Sequence, residues 1–183
     1  MSEKLLLQGA KVNLRPFIRE DISDAYIGWF NDPEVTRFNS HGEVLYTREK
    51  AEEYIRKIHA NKEYLVLAVI AKDSGRHIGN ISLQNIHAVN RGAEYAIMIG
   101  DKNYWGKGIA KEASRLIIEY GFGALNLHRI YCGTPILNVP MRRLAESLGF
   151  REEGTRREAM YKNGKFLDVV EYGMLIEDFK SKR

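Results

Sequence analysis

The hydrophobic pattern of this chain changes period along its length, and the order of those changes limits the folds open to it. Residues 11–15 alternate polar and apolar side chains, as a half-buried strand does, and Pro16 closes the run. Over residues 19–30 the spacing turns helical, with Ile22, Ala25, Tyr26 and Trp29 on one face, until Asn31-Asp32-Pro33 breaks it. Thr47 can cap a second helix through its hydroxyl, and Ala51, Tyr54, Ile55 and Ile58 supply the buried stripe. Residues 64–71 are then continuously apolar, and residues 77–83 and 93–99 read as further strands. The turns between them, Asp73-Ser74-Gly75 and the loop around Asn90-Arg91-Gly92, are too short for parallel crossovers. That stretch is therefore an antiparallel meander.

Residues 108–124 return to the helical period, with Ala110, Ala113, Leu116, Ile117 and Tyr120 on one side and Lys111, Glu112, Arg115 and Glu119 on the other. A strand at 129–132 follows. Asn138 can cap a helix that carries Leu144, Ala145 and Leu148 and stops at Gly149. Asn163-Gly164 fits a type I′ turn, whose two central residues need positive φ, and joins strands near 156–161 and 166–175. The sum is a mixed α/β fold: a mostly antiparallel twisted sheet flanked by helices. No repeat or linker divides the chain, so residues 1–183 read as one domain.

Composition excludes several classes. Hydrophobic residues make up 44% of the chain, enough to bury a core. The net charge of +4 is mild and spread out, so no nucleic-acid partner is expected, although a local anion pocket is. Cys132 is alone, which rules out an intrachain disulfide. Leu5-Leu6-Leu7 behind Met1-Ser2-Glu3-Lys4 is too short for a signal-peptide core, and no apolar run approaches a bilayer span. A cytoplasmic location with no membrane partner is expected.

Asn103-Tyr104-Trp105-Gly106-Lys107-Gly108-Ile109-Ala110 lies between a strand and the best helix. Small residues at 106, 108 and 110 let backbone N–H groups approach a ligand, and the helix N-terminus adds free donors, so the segment can cradle phosphate. It is not a Walker A loop, because five residues separate Gly100 from Gly106 and Gly108 follows Lys107. It is not a dinucleotide fingerprint either, because Lys111 occupies the last glycine position. On spacing alone, a ligand-free glycine turn stays open.

Read with its surroundings, the segment resembles the R/Q-x-x-G-x-G/A motif of the GNAT superfamily of N-acetyltransferases. Residues 93–99 precede it as a strand. Leu144-Ala145-Glu146-Ser147-Leu148-Gly149-Phe150 with Glu153-Gly154 looks like that family's ending. Leu14-Arg15-Pro16, Asn31-Asp32-Pro33-Glu34-Val35, Asn163-Gly164 and Tyr172-Gly173 resemble its RimJ/RimL-type branch. The resemblance implies a GNAT-like fold, acetyl-CoA as co-substrate and direct attack of a primary amine on the thioester. It implies that Trp105, Gly106, Lys107, Gly108, Ile109 and Ala110 hold the CoA pyrophosphate. Pantetheine would pair with the exposed strand edge at Ile97, Met98 and Ile99, and the Met98 backbone N–H would stabilise the oxyanion. Asn138 would hold the pantetheine arm, and Arg143 would reach a CoA phosphate.

The chain departs from the family at three positions. Trp105 replaces Arg or Gln, Met141 stands where the branch has serine, and Ala145 stands where many members carry a tyrosine acid. With both usual acids gone, positioning is expected to dominate. Glu94 is the expected base, directly or through water; a solvated or ion-paired strand residue is the other reading. The resemblance implies that the first helices and the loop after them cover the acceptor, through Trp29, Asn31, Arg37, Asn39 and His41, with core packing the other reading for Trp29. That acceptor is expected to be a nucleotide-linked amino sugar, another small amine or a protein N-terminal amine. A polyamine would need an acidic pocket, for which Asp32, Glu34, Glu43 and Glu49 are at hand. A non-catalytic acetyl-CoA-binding sensor is the alternative of a different class. The histidines show no metal-ligand spacing, so no metal is expected, and a homodimer stays open.

Overall fold

The computed structural model describes residues 6–180, so the apolar run that begins at Leu5 starts outside the described residues. Leu7–Gln8 (β1) and Val12–Pro16 (β2) lead into Asp24–Asn31 (α1), Pro33–Thr36 (α2) and Arg48–Ala60 (α3). Leu65–Ala71 (β3), His77–His87 (β4) and Gly92–Ile99 (β5) form the meander, followed by Ile109–Gly123 (α4) and Arg129–Pro135 (β6). Val139–Leu148 (α5), Arg151–Lys162 (β7), Lys165–Leu175 (β8) and Ile176–Lys180 (α6) complete the described chain. The strands form one eight-stranded sheet ordered β1-β2-β3-β4-β5-β6-β8-β7. Among the described residues no helix is long and apolar enough to cross a membrane.

The expected elements are present, with shifted edges. The first helix begins at Asp24, not at residue 19, because the Ser23 hydroxyl accepts the Tyr26 N–H at 3.1 Å and sets its start there. Residues 19–21 form instead a 3₁₀ turn, pinned by a bidentate Arg15–Asp21 pair at 2.7 Å on both arms. Strands β6 and β7 run longer than their apolar cores because pairing with β8 extends them. The two-residue β1 and the single-turn α2 and α6 are too short to leave a period in the sequence. Asn163 and Gly164 have φ of 49° and 76°, the pair of positive values a type I′ turn requires.

The sheet separates two apolar layers. On one face α4 and α5 pack over Leu14, Leu67, Ile81, Leu83, Tyr95 and Ile130. On the other, α1 and α3 bring Tyr26, Trp29, Phe30 and Ile55 against Phe17, Val66 and Ala68. Most of the predicted helical stripes are buried, but Ala25 faces solvent and Phe30 takes its place beside Tyr26 and Trp29 in the core.

The interruption in this sheet lies between β5 and β6. They pair in parallel only over Gly92, Ala93 and Glu94 against Arg129, Ile130 and Tyr131. Beyond that point β6 continues against β8 to Pro135, while β5 continues against β4 to Ile99. The two central strands therefore part, and one edge of β5 from Tyr95 to Ile99 faces a gap.

Candidate active site

The gap exposes only alternate backbone groups. Gly100 N–H donates to the Ile78 carbonyl at 2.9 Å, which makes that pair a hydrogen-bonded one. Hydrogen-bonded pairs recur every second residue of an antiparallel ladder, so the Asn80/Met98 and Ser82/Ala96 pairs are bonded as well. The Met98 N–H is thus spent on β4, which corrects the expectation that it faces the thioester. The groups turned toward the gap belong to Tyr95, Ile97 and Ile99. The sequence alone sets no hydrogen-bond phase for the strand, and an error of one residue swaps the two sets.

The glycine loop meets this edge. Gly106 and Gly108 have φ of 72° and 78°, in the left-handed region that side chains with a Cβ avoid. Nothing lies within 4 Å of where a Gly106 Cβ would project, so the space before it is open. Gly108 is the N-cap of α4 and offers no side-chain cap. Glu112 N–H is the first to find a helical acceptor, the Gly108 carbonyl at 3.2 Å. The N–H groups of Gly108, Ile109, Ala110 and Lys111 therefore have no backbone acceptor among the described residues. Four free donors, two glycines and the positive end of a 15-residue helix fit a diphosphate.

Trp105 has a different task from the Arg or Gln it replaces. Its indole N–H donates to the Ile99 carbonyl at 2.7 Å and fastens the loop to the splayed strand. Asn138 caps α5 by accepting the Met141 N–H at 3.3 Å, and its amide also donates to the Thr134 hydroxyl at 2.9 Å. One amide hydrogen remains for a ligand. Arg143 is exposed on α5 with no ion-pair partner among the described residues. Met141 packs against the core and Ala145 is buried within it, so neither brings a hydroxyl to the gap.

The opposite face carries the carboxylate. Side chains alternate along β5, so Tyr95 enters the α4 layer, where its hydroxyl meets Ser114 Oγ at 2.5 Å, and Glu94 points to the other side. Glu94 sits at the last paired position before the strands part, opposite Tyr131. An irregularity in β4 leaves Asn85 at φ 53° and aims its amide at Glu94 Oε2, 2.9 Å away. Oε1 has no hydrogen-bond partner among the described residues. Asn85 was not legible from sequence, because it reaches Glu94 only through this bulge. Burial pushes the Cys132 thiol up to about 12, so it is not a nucleophile at neutral pH.

The structure sorts the five expected acceptor residues into two groups. Trp29 is core: it is 9% exposed, meets the His77 ring at 5.1 Å and fills the space a Gly100 Cβ would need. Asn31 is a brace, exchanging hydrogen bonds with the Tyr46 backbone at 2.8 and 2.9 Å. Asn39 lies over β5, its amide 4.0 Å from Met98 Sδ, on the same strand face as Glu94. Arg37 is exposed and covers the Phe38 ring at 4.6 Å. The His41 ring stands edge-on to Phe30 at 4.8 Å, and desolvation, with the nearby Lys162 charge, holds its pKa below the usual value.

Lys162, at the tip of the last hairpin, was not anticipated. It is buried, donates to the His41 carbonyl and pairs with Glu43 at 3.2 Å. Lys102 pairs with Asp32 at 2.8 Å and with Glu34 at 2.9 Å. The three carboxylates of residues 31–43 are thus already ion-paired, Asp32 and Glu34 with Lys102 and Glu43 with Lys162.

Residues 11–151 match the family model described as an acetyltransferase (GNAT) domain. A protein named uncharacterized N-acetyltransferase p20, from Bacillus licheniformis, is 30% identical over 172 residues, covering 92% of this chain and 95% of its own. The spermidine N(1)-acetyltransferase of Escherichia coli K12 is 30% identical over 160 residues, covering 87% of this chain and 83% of its own. The crystal structure of spermidine N-acetyltransferase from Vibrio cholerae, in complex with CoA and spermine, superposes with a TM-score of 0.85 at 26% identity. That match covers 94% of this chain and 99% of the other.

Proposed function

The chain belongs to the GNAT acetyltransferase family and is an acetyl-CoA-dependent N-acetyltransferase, and from that premise we propose that its acceptor is a single primary amine on a body of low positive charge. A nucleotide-linked amino sugar and a protein N-terminal amine share that chemistry. The observation that carries the reading is the neutralised loop at residues 31–43. A polyamine brings several ammonium groups, each of which needs a counter-charge to offset desolvation. Asp32, Glu34 and Glu43 are engaged, and Glu49 lies in the first turn of α3, where Thr47 and the helix backbone hold its carboxyl below the usual range. Glu94 Oε1, which has no hydrogen-bond partner among the described residues, is placed to take one ammonium. The motifs at Leu14-Arg15-Pro16 and Asn31-Asp32-Pro33 support the RimJ/RimL-type branch, and all 183 residues are read as one N-acetyltransferase domain.

Acetyl-CoA supplies an acetyl group activated as a thioester. The free N–H groups at residues 108–111, with Gly106 leaving room, would hold its diphosphate. The backbone edge at Ile97 and Ile99 would bind the pantetheine amides, and the Ile97 N–H would hold the carbonyl oxygen as negative charge grows there. Asn138 and Arg143 would assist from α5. Glu94 Oε1 would take the ammonium proton. Ile97 stands three residues beyond Glu94, about 10 Å along the strand, so that proton travels through water. Tyr131, whose pKa is raised by burial and then by Glu94, stays a neutral phenol beside it.

The test is a comparison of kcat/KM at low ionic strength for glucosamine, a dipeptide amide with a free N-terminus, and spermidine. At least one single-amine acceptor is expected to exceed spermidine by about tenfold or more. Spermidine as the best of the three would overturn the reading.

A further inference from the structure

We infer that Lys11, which lies outside the glycine loop, is a positioning residue that sets the loop's phosphate-binding peptide from behind. The inference rests on the reading of residues 106–111 as the diphosphate cradle. Lys11 is held at the start of α4 by its backbone: its N–H donates to Glu112 Oε1 at 2.7 Å, and the next N–H, of Val12, reaches the same oxygen at 3.1 Å. Gly9 permits this close approach, because a Cβ there would lie 2.1 Å from that carboxylate oxygen. Fixed in this way, the Lys11 ammonium donates to the Lys107 carbonyl at 2.8 Å.

That contact sets more than the carbonyl. Lys107 C=O and Gly108 N–H belong to one peptide unit, and no peptide bond among the described residues is cis. In a trans peptide the two groups point in opposite directions. Capturing the carbonyl on the Lys11 side therefore turns the Gly108 N–H to the opposite side, away from Lys11. Two glycines flank Lys107, and each can occupy several backbone wells, so without a tether this peptide is free to rotate. A cation on the carbonyl also polarises the unit and strengthens the N–H as a donor. Glu112 lies in the first turn of the same helix, where a free carboxylate would repel an anion, but its Oε1 is taken up by the Lys11 and Val12 N–H groups.

The other charged groups on this side leave the role to Lys11. A cavity lined by Ala10, Lys11, Lys72, Asp73, Tyr104 and Lys107 opens behind the loop. In it Lys72 donates to the Gly9 carbonyl at 3.1 Å. The Lys107 ammonium lies over the Tyr104 ring at 5.4 Å, and Asp73 accepts the Tyr104 hydroxyl at 2.9 Å. None of the three reaches the Lys107 carbonyl.

The test is calorimetric titration of the wild type, Lys11→Met and Lys11→Arg with CoA, 3′-dephospho-CoA and pantetheine. Lys11→Met is expected to weaken CoA and 3′-dephospho-CoA alike by about tenfold, the equivalent of one charge-assisted hydrogen bond. Pantetheine, which lacks the diphosphate, should bind as it does to the wild type, and Lys11→Arg should restore most of the CoA affinity. Wild-type CoA affinity in Lys11→Met would overturn the inference. So would a loss confined to CoA, which would mean that Lys11 touches the 3′-phosphate directly, or an equal loss for pantetheine, which would mean general damage. A wild type that binds pantetheine as tightly as CoA would instead remove the cradle reading on which the inference rests.

Discussion

Replacing Glu94 with glutamine lowers kcat by about a hundredfold at neutral pH, within the range a positioned base contributes. The substitution keeps the shape of the side chain, and a glutamine oxygen can still accept the Asn85 amide now bonded to Oε2 at 2.9 Å. The bulge and the strand pairing around it are therefore retained, and the loss falls on proton transfer. Its pH dependence has a definite sign. An amine acceptor is protonated at neutral pH and must lose that proton before it can attack. As pH rises through the amine's own pKa, more of it arrives already neutral and needs no base. The gap between variant and wild type should therefore narrow toward high pH. A Glu94→Gln enzyme whose pH–rate profile parallels that of the wild type would assign Glu94 to strand structure alone.

Replacing Gly108 with valine has an effect of similar size on the other substrate. Gly108 holds φ at 78°, and a β-branched residue there carries a strain of about 1–2 kcal/mol. Its Cβ would approach the Lys11 ammonium to 3.5 Å, so the two branches beyond it would press on the contact that fixes the Lys107 peptide. Relief comes from turning that peptide, which takes the Gly108 N–H away from a bound phosphate. The charge-assisted bond lost, at about 1.5–3 kcal/mol, gives a fall in acetyl-CoA affinity of about tenfold to a hundredfold. Thermal melting of the free protein should move by a few degrees only, because Gly108 is exposed and packs against no apolar side chain. An unchanged KM for acetyl-CoA would show that the loop does not bind the phosphates.

Much of the fold was legible in the sequence because periodicity is a local property. The stripes behind Thr47 and Gly108, the continuous run of β3 and the Asn163-Gly164 turn each depend on residues close together in the chain. The glycine loop was legible for the same reason, since Gly106 and Gly108 need positive φ wherever the chain goes next. What stayed hidden depends on register. Met98 and Ile97 are neighbours with similar side chains, and only the hydrogen-bond phase set through Gly100 and Ile78 decides which N–H is free. Lys11, Asn85 and Lys162 were missed because their partners lie far off in sequence or are reached through a bulge. Trp29 was proposed for the acceptor because large aromatics serve both cores and pockets; the absence of a Cβ at Gly100 is what admits it to the core.

The central claim is that the parted strands and the glycine loop together form the acetyl-CoA site, with the odd-numbered amides of β5 as its donors. Residue-resolved amide hydrogen exchange, with and without acetyl-CoA, tests it most directly. Without the co-substrate, Ile97 and Ile99 should exchange quickly and Met98, bonded to β4, slowly. With it, Ile97, Ile99 and the amides of residues 108–111 should slow markedly while Met98 stays as it was. Protection gained at Met98 with none at Ile97 and Ile99, or no change anywhere along 95–99, would contradict the account.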